Sequence, residues 1–160
     1  MEDRNSPEAM AARASQPDPI VMYLVVRESL GMGVGKTAAQ CAHASQMLQL
    51  KFNTLEKELD NFKGLEESFG SLSPAEAASW AEIHPQYYVF QQWLDTSFRK
   101  VVLRASDHQF ERLKSEVINH IVVIDAGITE IAPGSQTVIG LWPMYRSLAP
   151  KFVQKLQVLK

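Results

Sequence analysis

Three polar residues fall on one helical face near the start of the chain. Lys36, Gln40 and His43 stand at i, i+4 and i+7. Lys36 lies where a helix is expected to begin, after the loop glycines Gly31, Gly33 and Gly35. The first turn of a helix attracts anions through its free N–H groups and its dipole. An ammonium there can hold an anion or steady one that forms during a reaction. Asp125 closes an apolar run just before Ala126 and Gly127, and a carboxylate so placed can draw a proton from water. Each has a plainer reading. Lys36 also fits a solvated surface lysine, Gln40 and His43 a satisfied polar face, and Asp125 a turn acid bonding its own backbone. Thr129 and Thr137 carry no signal individually.

Two other patterns suggest chemistry and fail on spacing. Gly35-Lys36-Thr37 looks like a phosphate-binding loop, but the glycine needed five residues before Gly35 is absent, because Leu30 stands there. Cys41 and His43 look like a nucleophile and its base, but residues two apart on a helix point to separate sides. A small buried thiol is the better reading of Cys41. The four histidines (43, 84, 108 and 120) show no metal-ligand spacing with it.

The elements that must position these groups alternate between strand and helix. Ile20–Val26 reads as a buried strand, and a helix follows from Lys36. Leu48, Phe52, Leu55, Leu59 and Phe62 continue it as an apolar stripe that Gly64 and Gly70 interrupt. Ser73–Glu76 has the form of a capping box opening a helix to about Ile83; Pro85 restarts the chain into a second short helix, Gln86–Leu94. Lys100–Ala105 is a second strand. Asp107 caps a helix to about Asn119, Ile121–Asp125 is a third strand, and Gln136–Leu141 a fourth. Arg146–Leu156 is helical in pattern, with Pro150 bending it. This alternation predicts an α/β sandwich. If the first and third strands are parallel, Lys36, Asp125, Thr129 and Thr137 meet at one sheet edge, where ligands of open α/β sheets bind.

Composition narrows the function classes. The 160 residues are 46% hydrophobic and 21% charged, enough for one domain with a core. The longest apolar run, Ile20–Val26, is too short to cross a bilayer. The single cysteine excludes an internal disulfide and suggests a reducing compartment. Residues 1–19 read as a disordered tail without the pattern of a secretory signal, and their acids count against a mitochondrial transit peptide. The expected location is the cytoplasm, with mitochondria left open. Net charge is −2, but residues 51–82 alone carry three lysines against seven acids. The remainder beyond residue 19 carries a net +4, enough for a polyanionic partner if the acidic segments lie away from the site.

Longer motifs are more specific. Tyr23–Arg27 (YLVVR), Met32–Ala44 (MGVGKTAAQCAHA) and Asp125–Gly140 (DAGITEIAPGSQTVIG) together resemble the type 2 peptidyl-tRNA hydrolase family of archaea and eukaryotes. Gln92-Trp93 and Arg99–Ala105 resemble its second-strand region. The resemblance covers about residues 21–50 and 92–159. It implies a three-layer α/β/α sandwich on a mixed four-stranded sheet, and hydrolysis of the ester joining a peptide to the 3′ end of tRNA. It implies no metal or organic cofactor and suggests a homodimer. By position, it makes Lys36, Asp125 and Thr129 catalytic candidates. Gly33, Gly35, Gln40, His43 and Thr137 become candidates for substrate binding. Asp125 is the expected general base, with Thr129 orienting water and Lys36 facing the developing negative charge.

The chain departs from the family pattern at Val34 and Ile128, where basic residues are common, and at Leu141–Met144, where the family ending is glycine-rich. These changes bear on affinity and substrate scope more than on reaction type. Residues 51–85 form an acidic helical insertion longer than usual. It is expected to pack on the domain or a dimer mate, or alternatively to recruit a protein partner. Tyr87, Tyr88, Phe90 and Trp93 offer base stacking as a secondary reading to core packing. The runner-up function is a catalytically weak family member that binds tRNA or protein as an adaptor.

Overall fold

Strand β1 (Ile20–Arg27) is apolar at nearly every position because both of its faces are covered. Residues alternate across it: Met22, Leu24 and Val26 enter one core, Val21, Tyr23 and Val25 the other. The structure is a computed structural model that describes residues 17–69 and 71–160. Most of the expected N-terminal tail, residues 1–16, lies outside the described residues. Asp18 and Pro19 are anchored: the Asp18 carboxylate accepts the Ser147 backbone N–H at 3.1 Å, and the Pro19 carbonyl accepts the Arg146 N–H at 2.9 Å.

After β1 and a 3-10 turn at Glu28–Leu30, helix α1 runs over Val34–Phe69 and α2 over Pro74–Thr96. Then come β2 (Lys100–Ala105), α3 (Asp107–Glu116), β3 (His120–Ile124) and β4 (Gln136–Leu141). The chain ends with β5 (Met144–Tyr145), a 3-10 turn at Arg146–Leu148, α4 (Lys151–Gln154) and β6 (Gln157–Val158). The sheet order is β3-β4-β1-β2-β6, with β5 paired to the start of β1. β1 is parallel to β2 and antiparallel to β4, and β4 is antiparallel to β3. So β1 and β3 run the same way, and the start of β4 returns to the edge where they end. Helices α1 and α2 share the first core; α3 and α4 share the second. The expected α/β sandwich is present.

The differences from expectation are local. The sheet has six strands, because two two-residue strands flank the four long ones. The expected C-terminal helix over Arg146–Leu156 is only a 3-10 turn and the four residues of α4, and β6 follows directly beyond it. Helix α1 passes through Gly64 without a break; a helical glycine costs about 1 kcal/mol, too little to end a packed helix. Pro85 does not restart the chain but lies inside α2. The residues just after it are held from outside: Phe52 of α1 stacks on Tyr87 and Phe90 at 5.1 and 4.4 Å, and Trp142 Nε1 donates to the Gln86 carbonyl at 3.0 Å. Those contacts outweigh the missing N–H. Ser106, not Asp107, caps α3, in a capping box with Gln109. The box at Ser73 and Glu76 forms as expected.

The apolar stripe of α1 is spent within the chain. Leu48, Phe52 and Leu59 are buried, with Leu55 packed beside them against the α2 aromatics. Phe90 and Trp93 are core residues, which removes them as base-stacking platforms; Tyr88 remains exposed. Among the described residues, no helix is long and apolar enough to cross a membrane.

Candidate active site

Four separate stretches of chain supply one polar cluster at the edge where β1 and β3 end. The first turn of α1 brings Lys36, and Gln40 follows one turn later on the same face. The end of β3 brings Asp125, the loop behind it Thr129, and the start of β4 Thr137. Lys36 Nζ lies 2.5 Å from Asp125 Oδ2 and donates to Thr129 Oγ1 at 3.0 Å. Gln40 Nε2 donates to the same Asp125 oxygen at 2.7 Å. The Thr137 hydroxyl, fully buried, donates to Gln40 Oε1 at 2.6 Å. That bond fixes which end of the Gln40 amide faces the carboxylate.

Asp125 combines both sequence readings. Its Oδ1 accepts the Gly127 N–H at 2.7 Å, the turn bond expected of an isolated acid, while Oδ2 faces Lys36. Gly127 sits at φ +74°, and a Cβ there would stand 2.3 Å from the Pro133 nitrogen, so only glycine fits the turn. The hydrogen bond from Lys36, reinforced by the Gly127 N–H, holds the Asp125 carboxyl below its usual pKa. The group is therefore ionised throughout the neutral range. Three donors occupy three of its four lone-pair positions and leave one open on Oδ1. Lys36, with two of its three N–H groups engaged, likewise keeps one free.

The start of α1 adds a second anion-holding feature. The Gly33 N–H donates to Glu130 at 2.8 Å, and the first intrahelical bond is Thr37 N–H to the Gly33 carbonyl. The N–H groups of Val34, Gly35 and Lys36 thus precede the first helical bond. Gly35 is exposed, with open space where a side chain would project. Glu130 gave no sequence signal; its carboxylate reaches the helix start only because the 126–135 loop folds back over it.

The sequence-based site comes together with one exception. Lys36, Gln40, Asp125, Thr129 and Thr137 form the cluster, and Gly33 and Gly35 border it. His43 is the exception: it is exposed and lines a groove with Gln46, Met47 and Leu50. Seven residues at about 1.5 Å each carry it roughly 10 Å along the axis from Lys36, so a shared face does not bring it to the same point. Cys41 is buried, and burial pushes its thiol pKa up, against any nucleophilic role. Val34 and Ile128, close in sequence to Lys36 and Asp125, are exposed aliphatic residues.

This arrangement can bind an anion beside an oriented carboxylate and offer an ammonium to developing charge. Comparison with known proteins points the same way. The family model described as Peptidyl-tRNA hydrolase PTH2 matches residues 20–159. The chain is 34% identical over 142 residues to Peptidyl-tRNA hydrolase 2 of Saccharomyces cerevisiae, a match covering 86% of this chain and 54% of the relative. It is 30% identical over 146 residues to Peptidyl-tRNA hydrolase of Pyrobaculum aerophilum, covering 88% and 98%. With Peptidyl-tRNA hydrolase 2, mitochondrial, of Homo sapiens it shares 30% identity over 142 residues, covering 86% and 63%. The chain thus spans about half the length of the yeast relative and nearly all of the archaeal one.

Proposed function

The chain belongs to the peptidyl-tRNA hydrolase PTH2 family, and on that premise we propose that it hydrolyses peptidyl-tRNA, releasing peptide and free tRNA and so recycling tRNA from stalled or aborted translation. The observation that carries this reading is the Lys36 ammonium 2.5 Å from the Asp125 carboxylate at the sheet edge, with Thr129 on the same lysine.

In the proposed reaction, Asp125 receives a proton from water through its open Oδ1 position, with Thr129 helping to orient that water. The water oxygen bonds to the ester carbonyl carbon, and the carbonyl oxygen gains negative charge. The free N–H of Lys36 and the first amides of α1 face that charge. The ester C–O bond then breaks, the proton held by Asp125 passes to the departing 3′ oxygen of the terminal ribose, and the new carboxylic acid of the peptide loses its remaining proton to solvent and leaves as a carboxylate. Gln40 and Thr137, expected from the sequence to bind substrate, are buried behind Asp125 and act instead as positioning residues that keep it aimed. Gly33 and Gly35 bind substrate beside this centre, and His43 binds a part of it farther along α1. The cytoplasm is the proposed location and a homodimer the proposed assembly. The outer helical hairpin is the surface proposed for any protein partner.

The test is direct. Incubation with peptidyl-tRNA should release tRNA at a rate that a metal chelator leaves unchanged. Tight binding without release would replace the hydrolase reading with the adaptor one.

A further inference from the structure

The exposed aliphatic side chains are not scattered evenly. Met47 and Leu50, 39% and 59% exposed, stand on the outer flank of α1, opposite the end of β3, where Ile124 is 63% exposed. Between them runs an open groove of about 420 Å³, with His43 and Gln46 on the helical wall and Val122 on the strand wall. None of its lining residues is a lysine, arginine, aspartate or glutamate. β3 is the last strand of the sheet, so among the described residues its outer edge has no strand neighbour. Asp125 spends its own N–H on the Ser135 carbonyl and its carbonyl on the Gly134 N–H. By strand alternation, Ile124 directs its backbone groups outward, into the groove. Such an edge is a template for an added strand.

We propose that this groove binds the peptide half of the substrate as an extra strand beside β3. The inference rests on the hydrolase reading. Continuity selects the occupant: β3 ends at Ile124, the next residue is Asp125, and His43 joins the groove to the helix that carries Lys36. The ester carbon lies at Asp125, so the C-terminal residue of the peptide sits there and the peptide runs parallel to β3. Charge selects it too. A polyanionic RNA strand finds no lysine or arginine in this groove, whereas apolar walls suit peptide side chains. Main-chain pairing would read the backbone and so favour no particular peptide side chain. Five strand residues at roughly 3.3 Å each accommodate about four or five residues of substrate.

The experiment uses the full chain and peptidyl-tRNAs carrying one to six residues, the first being an N-acetylaminoacyl-tRNA. Expected is a rise in kcat/KM of about tenfold over the first four residues and none beyond, the scale of covering one or two aliphatic side chains. Leu50→Glu, and the milder Leu50→Gln, should flatten that rise. In parallel, an N-acetylated Val-Thr-Val-Thr peptide, added to ¹⁵N-labelled protein, should shift the Val122 and Ile124 amide signals. A length-independent rate in an active enzyme overturns the proposal, as does a dimer in solution that Leu50→Glu dissociates, since a second copy would then own the groove. Failure to cleave any substrate while the peptide still shifts those amides would sink the hydrolase reading and leave the groove standing.

Discussion

The sheet rim that carries the polar cluster and the outer helical hairpin use opposite means to stay in place. At the rim, Lys36, Gln40, Asp125 and Thr137 come from three separate regions of the chain and are joined by hydrogen bonds, with almost no apolar contact between their functional ends. In the hairpin, α1 and α2 are neighbours in sequence joined by stacked rings, Phe52 on Tyr87 and Phe90, and their charges face water. The rim is specific: remove one donor and a carboxylate is mispaired. The hairpin is permissive: its outer surface tolerates change as long as the rings remain. The contrast separates residues proposed to support the reaction from residues that support the fold.

Mutations should break that contrast in a fixed order of size. The largest effect is expected at the rim. Lys36→Ala or Asp125→Asn should lower turnover of peptidyl-tRNA by roughly 10²-fold or more with unchanged circular dichroism. Equal turnover in both variants would remove these residues from the chemistry. Next is Phe52→Ala in the hairpin, which should cost about 3–5 kcal/mol of stability in denaturant titration, while the fraction still folded keeps its turnover. Gly127→Ala should cost roughly 1–3 kcal/mol through strain, and should also slow turnover, because the displaced loop carries Thr129. The smallest effect is expected for Glu58→Lys on the exposed hairpin surface, within about 0.5 kcal/mol and without change in rate.

A pH profile sharpens the same comparison. The folded-state pKa of Asp125 lies below the unfolded one, so its ion pair is fully present above the unfolded value and is lost as pH falls through the folded value. The acidic limb of kcat/KM should therefore fall below the usual carboxylate range. A limb near neutrality would mean that another group supplies the base.

The legible parts of the sequence were those set by local rules. β2 and β4 have the expected bounds, Lys100–Ala105 and Gln136–Leu141, because polar or glycine-rich breakers bracket β-branched runs. The candidate cluster was legible because a helix start and two strand ends must share an edge in a mixed sheet. The errors arose where distant packing overrode local preference. Pro85 stays helical because Phe52 and Trp142 hold the turns beyond it, and no rule confined to residues 81–89 contains that information. Ser106 and Asp107 are both good caps, and only the return bond from Gln109 decides between them. Glu130 and the groove beside β3 depend on which strand ends the sheet, a fact of topology that no short motif carries.

Helix α1 begins at the polar cluster, and at 36 residues of about 1.5 Å each it is a rod of roughly 54 Å. Ala44, Leu48 and Phe52 seat its first half on the sheet and act as a fulcrum. Swaying of the distal half is absorbed at that seat before it reaches the ammonium. The far end can therefore lengthen, shorten or carry a fused label over evolutionary or laboratory time, and the lysine at the near end will not register the difference.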